Sequence, residues 1–285
     1  MNKKVGILGG GFGLYGYLPA FANLQYEIYT LSKYESFINK RPDLDKYIEN
    51  INFLNEEEEL INKVDYINIA RNPESQYQFL IYNKPYSFKH LYLEKPIAHQ
   101  TMAYSKCIEN FEIEKTSFSV FYSLTYMDWY NNIIEEMTQG VDQKFEIVWK
   151  IKQKSSSWKQ DVSKGGGMLK FYGIHFIKMF IDANLTLKNV TMSENKLEIN
   201  LESKNFNLLN ISIESNDKNL FSIHKNEEIQ INSSNPFLKE IIPKLPDPRI
   251  EILEKYIQSD SSTALELEKN ILVWLDLLEQ KINLS

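Results

Sequence analysis

Residues 4–21, KVGILGGGFGLYGYLPAF, decide how the chain is read. An apolar run over 4–9 ends in glycines, and helical spacing follows from about Tyr15 to Leu24. Strand, glycine turn and helix, in that order, let bare backbone approach a pyrophosphate whose charge rests on a helix N-terminus. Two registers fit G-x-G-x-x-G. Gly9 and Gly11 match it with Leu14 in the third glycine's place; Gly11, Gly13 and Gly16 match it fully but start two residues later. A purely structural tight turn also uses such glycines, and a lone glycine pattern is weak evidence. The strand before it and the helix after it favour dinucleotide binding, with Gly9, Gly11, Phe12, Gly13 and Leu14 forming the loop.

Outward from this loop, strand-like and helix-like segments alternate. Strands are predicted at 26–31, 51–55, 65–70, 90–95 and 116–123, and helices at 56–64, 73–83 and 100–111. Short apolar strands separated by helices indicate a parallel, doubly wound sheet. After a helix near 128–138 the pattern changes to long alternating stretches at 144–154, 185–194, 196–203, 207–215 and 221–232. Alternation of this kind suits a sheet with one wet face. A helix at 167–183 interrupts the series, and 263–282 reads as a long packed helix. The expected architecture is α/β: a Rossmann unit over residues 1–122, then an α/β unit over 123–285 with a large open, mostly antiparallel sheet.

Composition narrows the function classes. The 285 residues are 43% hydrophobic and 25% charged, with a formal net charge of −6. These are the proportions of a folded soluble protein, and the acidic balance argues against nucleic-acid or anionic-membrane partners. No stretch of about 18 apolar residues is present, so no spanning helix is predicted. The N-terminus lacks the apolar core of a secretory signal. Cys107 is the only cysteine, which rules out an intramolecular disulfide. A cytoplasmic location is expected. There is no HExxH, no CxxC, no G-x-S-x-G elbow and no Walker lysine motif, so zinc, hydrolase and NTPase readings lack support.

The second predicted strand ends TLSKYES, placing Ser32 and Lys33 where an acid would bind the ribose 2′-hydroxyl of NAD. A hydroxyl and an ammonium suit a 2′-phosphate, so NADP is favoured over NAD, although Glu35 lies close by. Two further stretches, DYINIARNPESQYQFLIYNKPYSFKHLYLEKPI (65–97) and WKQDVSKGGGMLKFYGIHFI (158–177), complete a pattern. With the glycine loop and YLPAF, the chain resembles the Gfo/Idh/MocA family of NAD(P)-dependent oxidoreductases. That resemblance implies a Rossmann domain for the cofactor and an α/β domain for the substrate and oligomer contacts. It also implies a sugar, cyclitol or nucleotide-sugar substrate, and a cis peptide at Lys95–Pro96. An open sheet face is expected to leave an apolar patch, and hence a homodimer or homotetramer.

Hydride chemistry belongs to the nicotinamide, so the protein must place a carbon and handle a proton on oxygen. Lys95 ends a predicted parallel strand, on the edge where open α/β sheets bind ligands. Its free pKa of about 10.4 is high for this work, and burial beside a positively charged nicotinamide ring would lower it. His175, with an ordinary pKa of about 6.5, is the second proton carrier. It stands where the family's substrate-facing histidine belongs. The chain departs from the family's G-G-G-x-L-x-D-x-G-x-H at Phe171, which replaces the aspartate. Three readings stay open: Tyr172 or Tyr126 supplies the polar group; Lys95 and His175 suffice; or catalysis is lost and a cofactor-binding regulatory protein remains. Arg71 and Pro73, after a central strand, and Glu94 join the cofactor candidates, and Trp158 joins the substrate candidates. Gln76 stands where the family often has histidine.

Overall fold

The computed structural model describes residues 3–83, 88–140, 142–152, 158–242, 244–259 and 261–284. Residues 84–87 of the resemblance motif, and 153 and 154 of the predicted strand over 144–154, lie outside it. The chain forms two compact units. Met1–Ala98, Met102–Phe121 and Ile241–Glu266 make the first; His99–Thr101, Tyr122–Glu240 and Leu267–Ser285 make the second. A single division at 122/123 therefore omits the return of 241–266 to the first unit.

Six strands build the first unit: β1 (Lys4–Leu8), β2 (Glu27–Leu31), β3 (Ile51–Leu54), β4 (Tyr66–Ile69), β5 (His90–Glu94) and β6 (Phe118–Phe121). All five pairings are parallel, in the order β3-β2-β1-β4-β5-β6. This is the Rossmann order, with its switch point between β1 and β4. Val5, Ile7, Leu8, Ile67, Ile69, Leu91 and Leu93 have no accessible surface. Each such side chain contributes roughly 1.5–3 kcal/mol.

The helices between the strands are α1 (Leu18–Asn23), α2 (Glu35–Ile38), α3 (Glu57–Lys63), α4 (Pro73–Tyr82) and α5 (Thr101–Glu114). Glu57, Glu58 and Glu59 complement the N-terminal dipole of α3. Pro73 occupies the first turn of α4, where no N–H is needed, and the Asn72 side chain caps that helix by accepting from Ser75 N at 2.9 Å. The structure begins the first helix earlier than the spacing suggests, with a π turn over Gly13–Tyr17 ahead of α1.

The second unit holds α6 (Asp128–Gln139) and α7 (Ile174–Asp182) and a six-stranded sheet. Its strands are β7 (Lys144–Lys152), β8 (Thr186–Met192), β9 (Lys196–Glu202), β10 (Leu208–Asn216), β11 (Leu220–Lys225) and β12 (Glu228–Ser233). In the order β12-β11-β7-β10-β9-β8 only β7–β10 is parallel. The stretch 221–232, read as one segment, is a hairpin. Asn226 and Glu227 take φ +48° and +72°, the sign a tight I′-type turn requires at both centres, yet only the asparagine advertises it.

One side of this sheet buries Phe145, Ile147, Leu197, Ile199, Leu209, Ile211 and Ile213. The other carries Lys144, Glu146, Lys150, Glu198, Asn200, Asn210 and Ser212. That face is mostly polar, with Val148 and Leu208 as apolar side chains among its outward positions. The last helices are α8 (Ile250–Gln258) and α9 (Ala264–Leu284); the sequence reading missed α8. Among the described residues, no helix is long and apolar enough to cross a membrane.

Candidate functional site

The carboxyl edge of the parallel sheet gathers most of the cofactor candidates. At the end of β1, Gly9 takes φ +153°, and an added Cβ would lie 2.2 Å from Ala70 O. Any side chain there collides with backbone. Gly13 packs the helix start against the sheet, its would-be Cβ 3.1 Å from Ala70 Cβ and 3.4 Å from Ile7 Cγ2. Gly11 differs: nothing lies within 4 Å of the space a Cβ would take. Leu14 is fully buried, so it fills the third glycine's place as a core residue. Gly16 makes room for the Phe12 ring, which would otherwise sit 2.3 Å from its Cβ. The backbone thus favours the Gly9–Gly11 register.

The first helical bonds run from Leu14 N (2.9 Å) and Tyr15 N (3.3 Å) to Gly11 O. The N–H groups of Phe12 and Gly13 therefore stand ahead of the first turn, where an anion is favoured. Open space at Gly11, closed space at Gly9 and Gly13, and forward N–H groups fit a dinucleotide diphosphate.

At the end of β2, Ser32 Oγ donates to Leu54 O at 3.1 Å, and exposed Lys33 holds its ammonium 5.3 Å from the Tyr34 ring centroid. Tyr34 covers the loop: its Cε1 lies 3.1 Å from the place of a Gly10 Cβ. Burial raises the Tyr34 phenol, while Arg71 and the Gly9 N–H act against that rise. Arg71 makes a bidentate pair with Glu57 at the head of α3. It is thus turned toward Tyr34 and Glu57, while Pro73 is buried at the head of α4.

At the end of β5, Lys95 is only 6% exposed and the Lys95–Pro96 peptide is cis, as expected. Glu94 accepts from Tyr17 Oη at 2.8 Å. Gln76 secures the turn. Its Nε2 lies 2.7, 3.2 and 3.1 Å from the carbonyl oxygens of Glu94, Pro96 and Ile97, and its Oε1 accepts from Glu94 N at 3.1 Å. Gln76 has no accessible surface, so sequence reasoning noted its position without seeing its task.

In the second unit the glycine triplet is a packed turn. Gly165 and Gly167 take φ +82° and +88°, and a Cβ on Gly166 would meet Trp158 O at 2.5 Å. A π turn over Met168–Gly173 leads into α7, which carries His175, 8% exposed. Phe171, in the aspartate's place, lies in an aromatic cluster. Trp158 stands edge-on to it at 5.3 Å and Tyr172 at 4.7 Å, and Lys159 Nζ lies 5.0 Å from its ring centroid. Trp149 stands 5.3 Å from Tyr172 and 6.3 Å from His175. Burial pushes the Tyr172 phenol up to about 12, so it stays protonated and able to donate. Tyr126 is half-buried at the end of a 3-10 turn, Ser123–Tyr126.

Among the described residues, no group of three or more His, Cys, Asp or Glu side chains could hold a metal. Buried Cys107 has its thiol raised to about 12 by burial, which makes it a poor nucleophile. A cavity of about 450 Å³ opens at the amino edge of the parallel sheet, by Lys3, Tyr26, Lys89 and His90. That is the edge opposite the glycine loop, so the cavity is no part of this site.

No family model matches the chain, and no curated protein matches it in sequence. Solved structures do match in fold. The WlbA (WbpB) dehydrogenase from Thermus thermophilus, in complex with NAD and UDP-GlcNAcA, is 15% identical over 98% of this chain and 94% of its own, with a TM-score of 0.69. KijD10, a 3-ketoreductase from Actinomadura kijaniata in complex with NADP and TDP-benzene, is 11% identical over 99% and 98%, with a TM-score of 0.69. A myo-inositol dehydrogenase from Corynebacterium glutamicum is 13% identical over 99% and 97%, also at 0.69. The chain therefore shares its two-unit fold with these dehydrogenases and this ketoreductase.

Proposed function

We propose that this protein is an NADP(H)-preferring oxidoreductase acting on a hydroxyl or keto carbon of a sugar or nucleotide sugar. The observation that carries the reading is Lys95: an ammonium almost wholly withdrawn from water at the carboxyl end of β5, in the same parallel sheet as the glycine loop. Proteins rarely bury lysine without a use for it. The named ligands of the solved structures, NAD or NADP with UDP-GlcNAcA or a TDP derivative, support the same substrate class.

In this reading the first unit is the dinucleotide-binding domain and the second the substrate domain. Gly9, Gly11 and Gly13, with the N–H groups of Phe12 and Gly13, receive the diphosphate. Ser32 and Lys33 face the adenosine end, where a hydroxyl and an ammonium favour a 2′-phosphate, and Arg71 lies on the loop bordering the nicotinamide. Pro73, Glu94 and Lys95 complete the cofactor residues. The bound nicotinamide supplies or accepts the hydride. Lys95 gives a proton to the substrate oxygen in reduction and takes it back in oxidation. His175 is the assisting proton carrier of this reading, and Trp158, Tyr172 and Tyr126 are its candidates for holding the sugar. The assembly is a homodimer or homotetramer, which light scattering tests directly.

Phe171 favours a second reading: a non-catalytic NAD(P)-binding regulatory protein on the same fold, since an aromatic cluster replaces the carboxylate. Turnover of a keto-sugar and nucleotide-sugar panel, with NADPH and NADH titrations, separates the two. Oxidoreduction lost in Lys95→Ala and His175→Ala supports the enzyme. Cofactor binding without turnover supports the regulator. Activity unchanged in both variants removes the mechanism.

A further inference from the structure

The segment 241–266 brings one guanidinium to the glycine loop from more than 230 positions along the chain. Arg249 Cζ lies 4.1 Å from the centroid of the Phe12 ring. Phe12 is the residue between Gly11 and Gly13, and its ring is held on other sides by Tyr15 (5.5 Å), Tyr17 (5.4 Å) and Phe121 (6.2 Å). Gly16 supplies the space beneath it. A Phe12 side chain directed into this cluster is an anchor, and its backbone N–H is what remains for a ligand.

Arg249 is itself fixed. Its Nε and Nη2 donate to Asp247 Oδ1 at 2.8 Å and Oδ2 at 2.7 Å, and Arg249 N donates to Asp247 Oδ1 at 2.9 Å. The Asp247 side chain is 3% exposed and that of Arg249 20% exposed. The guanidinium also faces Tyr15 and Glu94, and Glu94 is bonded to Tyr17 of the same aromatic set. A bidentate, largely desolvated pair stacked on a ring is rigid.

We propose that Arg249, held by Asp247, is a positioning residue for the dinucleotide: it clamps Phe12 and so fixes the forward N–H groups of Phe12 and Gly13. This rests on the reading of the glycine loop as the cofactor site. It adds a determinant that neither the glycine motif nor the neighbouring sequence contains.

The test pairs cofactor affinity with hydrogen exchange of the Phe12 and Gly13 amides in the full chain. In Arg249→Met, which keeps bulk on the ring and removes the fork and the charge, NADPH Kd rises about tenfold or more. The two amides exchange faster in the absence of ligand. Arg249→Lys, which restores the charge without the fork, falls between wild type and Arg249→Met in both readouts. Should Arg249→Met fail to fold, Phe12→Leu removes the clamped ring and leaves the Asp247–Arg249 pair intact; the same two changes are expected. A folded variant with unchanged Kd and unchanged amide exchange overturns the proposal. Wild-type protein that binds neither NADPH nor NADH overturns the cofactor reading instead, and the exchange arm still decides whether the clamp exists.

Discussion

The two units each carry a glycine run leading through a π turn into a helix, and the two runs differ in one open position. Around Gly9–Gly13 one glycine leaves room: a Cβ at Gly11 would touch nothing, while Gly9 and Gly13 are packed against Ala70. Around Gly165–Gly167 there is no such room: Gly166 fits only because it lacks a Cβ against Trp158 O and the Lys159 carbonyl. In sequence both read as glycine-rich starts of helices. What separates them is whether the vacated space is filled by the protein's own backbone, which only coordinates reveal. Open space at Gly11 leaves its backbone accessible, whereas filled space at Gly166 serves the turn.

The largest expected effect lies at Lys95, at the same sheet edge as the first loop. Lys95→Ala is expected to lower turnover by roughly 10²–10⁴-fold, the range of general acid–base contributions, with NADPH affinity kept. Isothermal titration beside initial rates checks this, and parallel loss of binding would make Lys95 a scaffold residue. Next come the glycines themselves. Gly11→Ala should leave the melting temperature unchanged and weaken NADPH binding about tenfold, whereas Gly166→Ala should cost roughly 1–3 kcal/mol of stability, as overpacking does. Differential scanning calorimetry with NADPH titration reads both; a destabilised Gly11→Ala would break the contrast.

Gln76→Leu is expected to cost about 1–3 kcal/mol in transition-state stabilisation, because the carbonyls of Glu94, Pro96 and Ile97 and one N–H lose their partner. A fall in kcat with KM for NADPH kept would locate the effect at the Lys95 turn. The smallest effect lies at the amino edge of the same sheet, where burial holds His90 down to about 4. Above about pH 6.5 the ring is neutral folded and unfolded, so no penalty exists. As pH falls toward 4 the unfolded chain binds the proton first and folding loses about 1.4 kcal/mol by pH 5.5. Urea melts of wild type and His90→Asn at pH 7.5 and 5.5 should diverge by that amount; equal pH dependence would refute it.

Element type was legible wherever period and punctuation agreed. The Rossmann strands are short apolar runs between helix signals, and Pro73 after Asn72 marks the start of α4. Legibility failed where the signal is not local. The hairpin at Asn226–Glu227 lacks the glycine that marks such turns, so two strands read as one. Gln76 reads as an ordinary helical polar residue; its task appears only when α4 lies beside the end of β5. The same holds for Arg249, since nothing near it in sequence says that its helix packs beside α1.

The return of 241–266 has a consequence for how the molecule is made. Its helix, α8, carries Tyr256 and Leu253, both buried, and joins Asn23 of α1 to Glu254 at 2.7 Å. A nascent polypeptide emerging from the ribosome has all six parallel strands in hand after Phe121, yet lacks this covering until the second unit's sheet has also been synthesised. The amino-terminal half therefore waits, with α1 wet on one flank, for the carboxyl-terminal quarter to be translated. The usual vectorial order, in which an upstream domain finishes before the next begins, would leave this unit without α8.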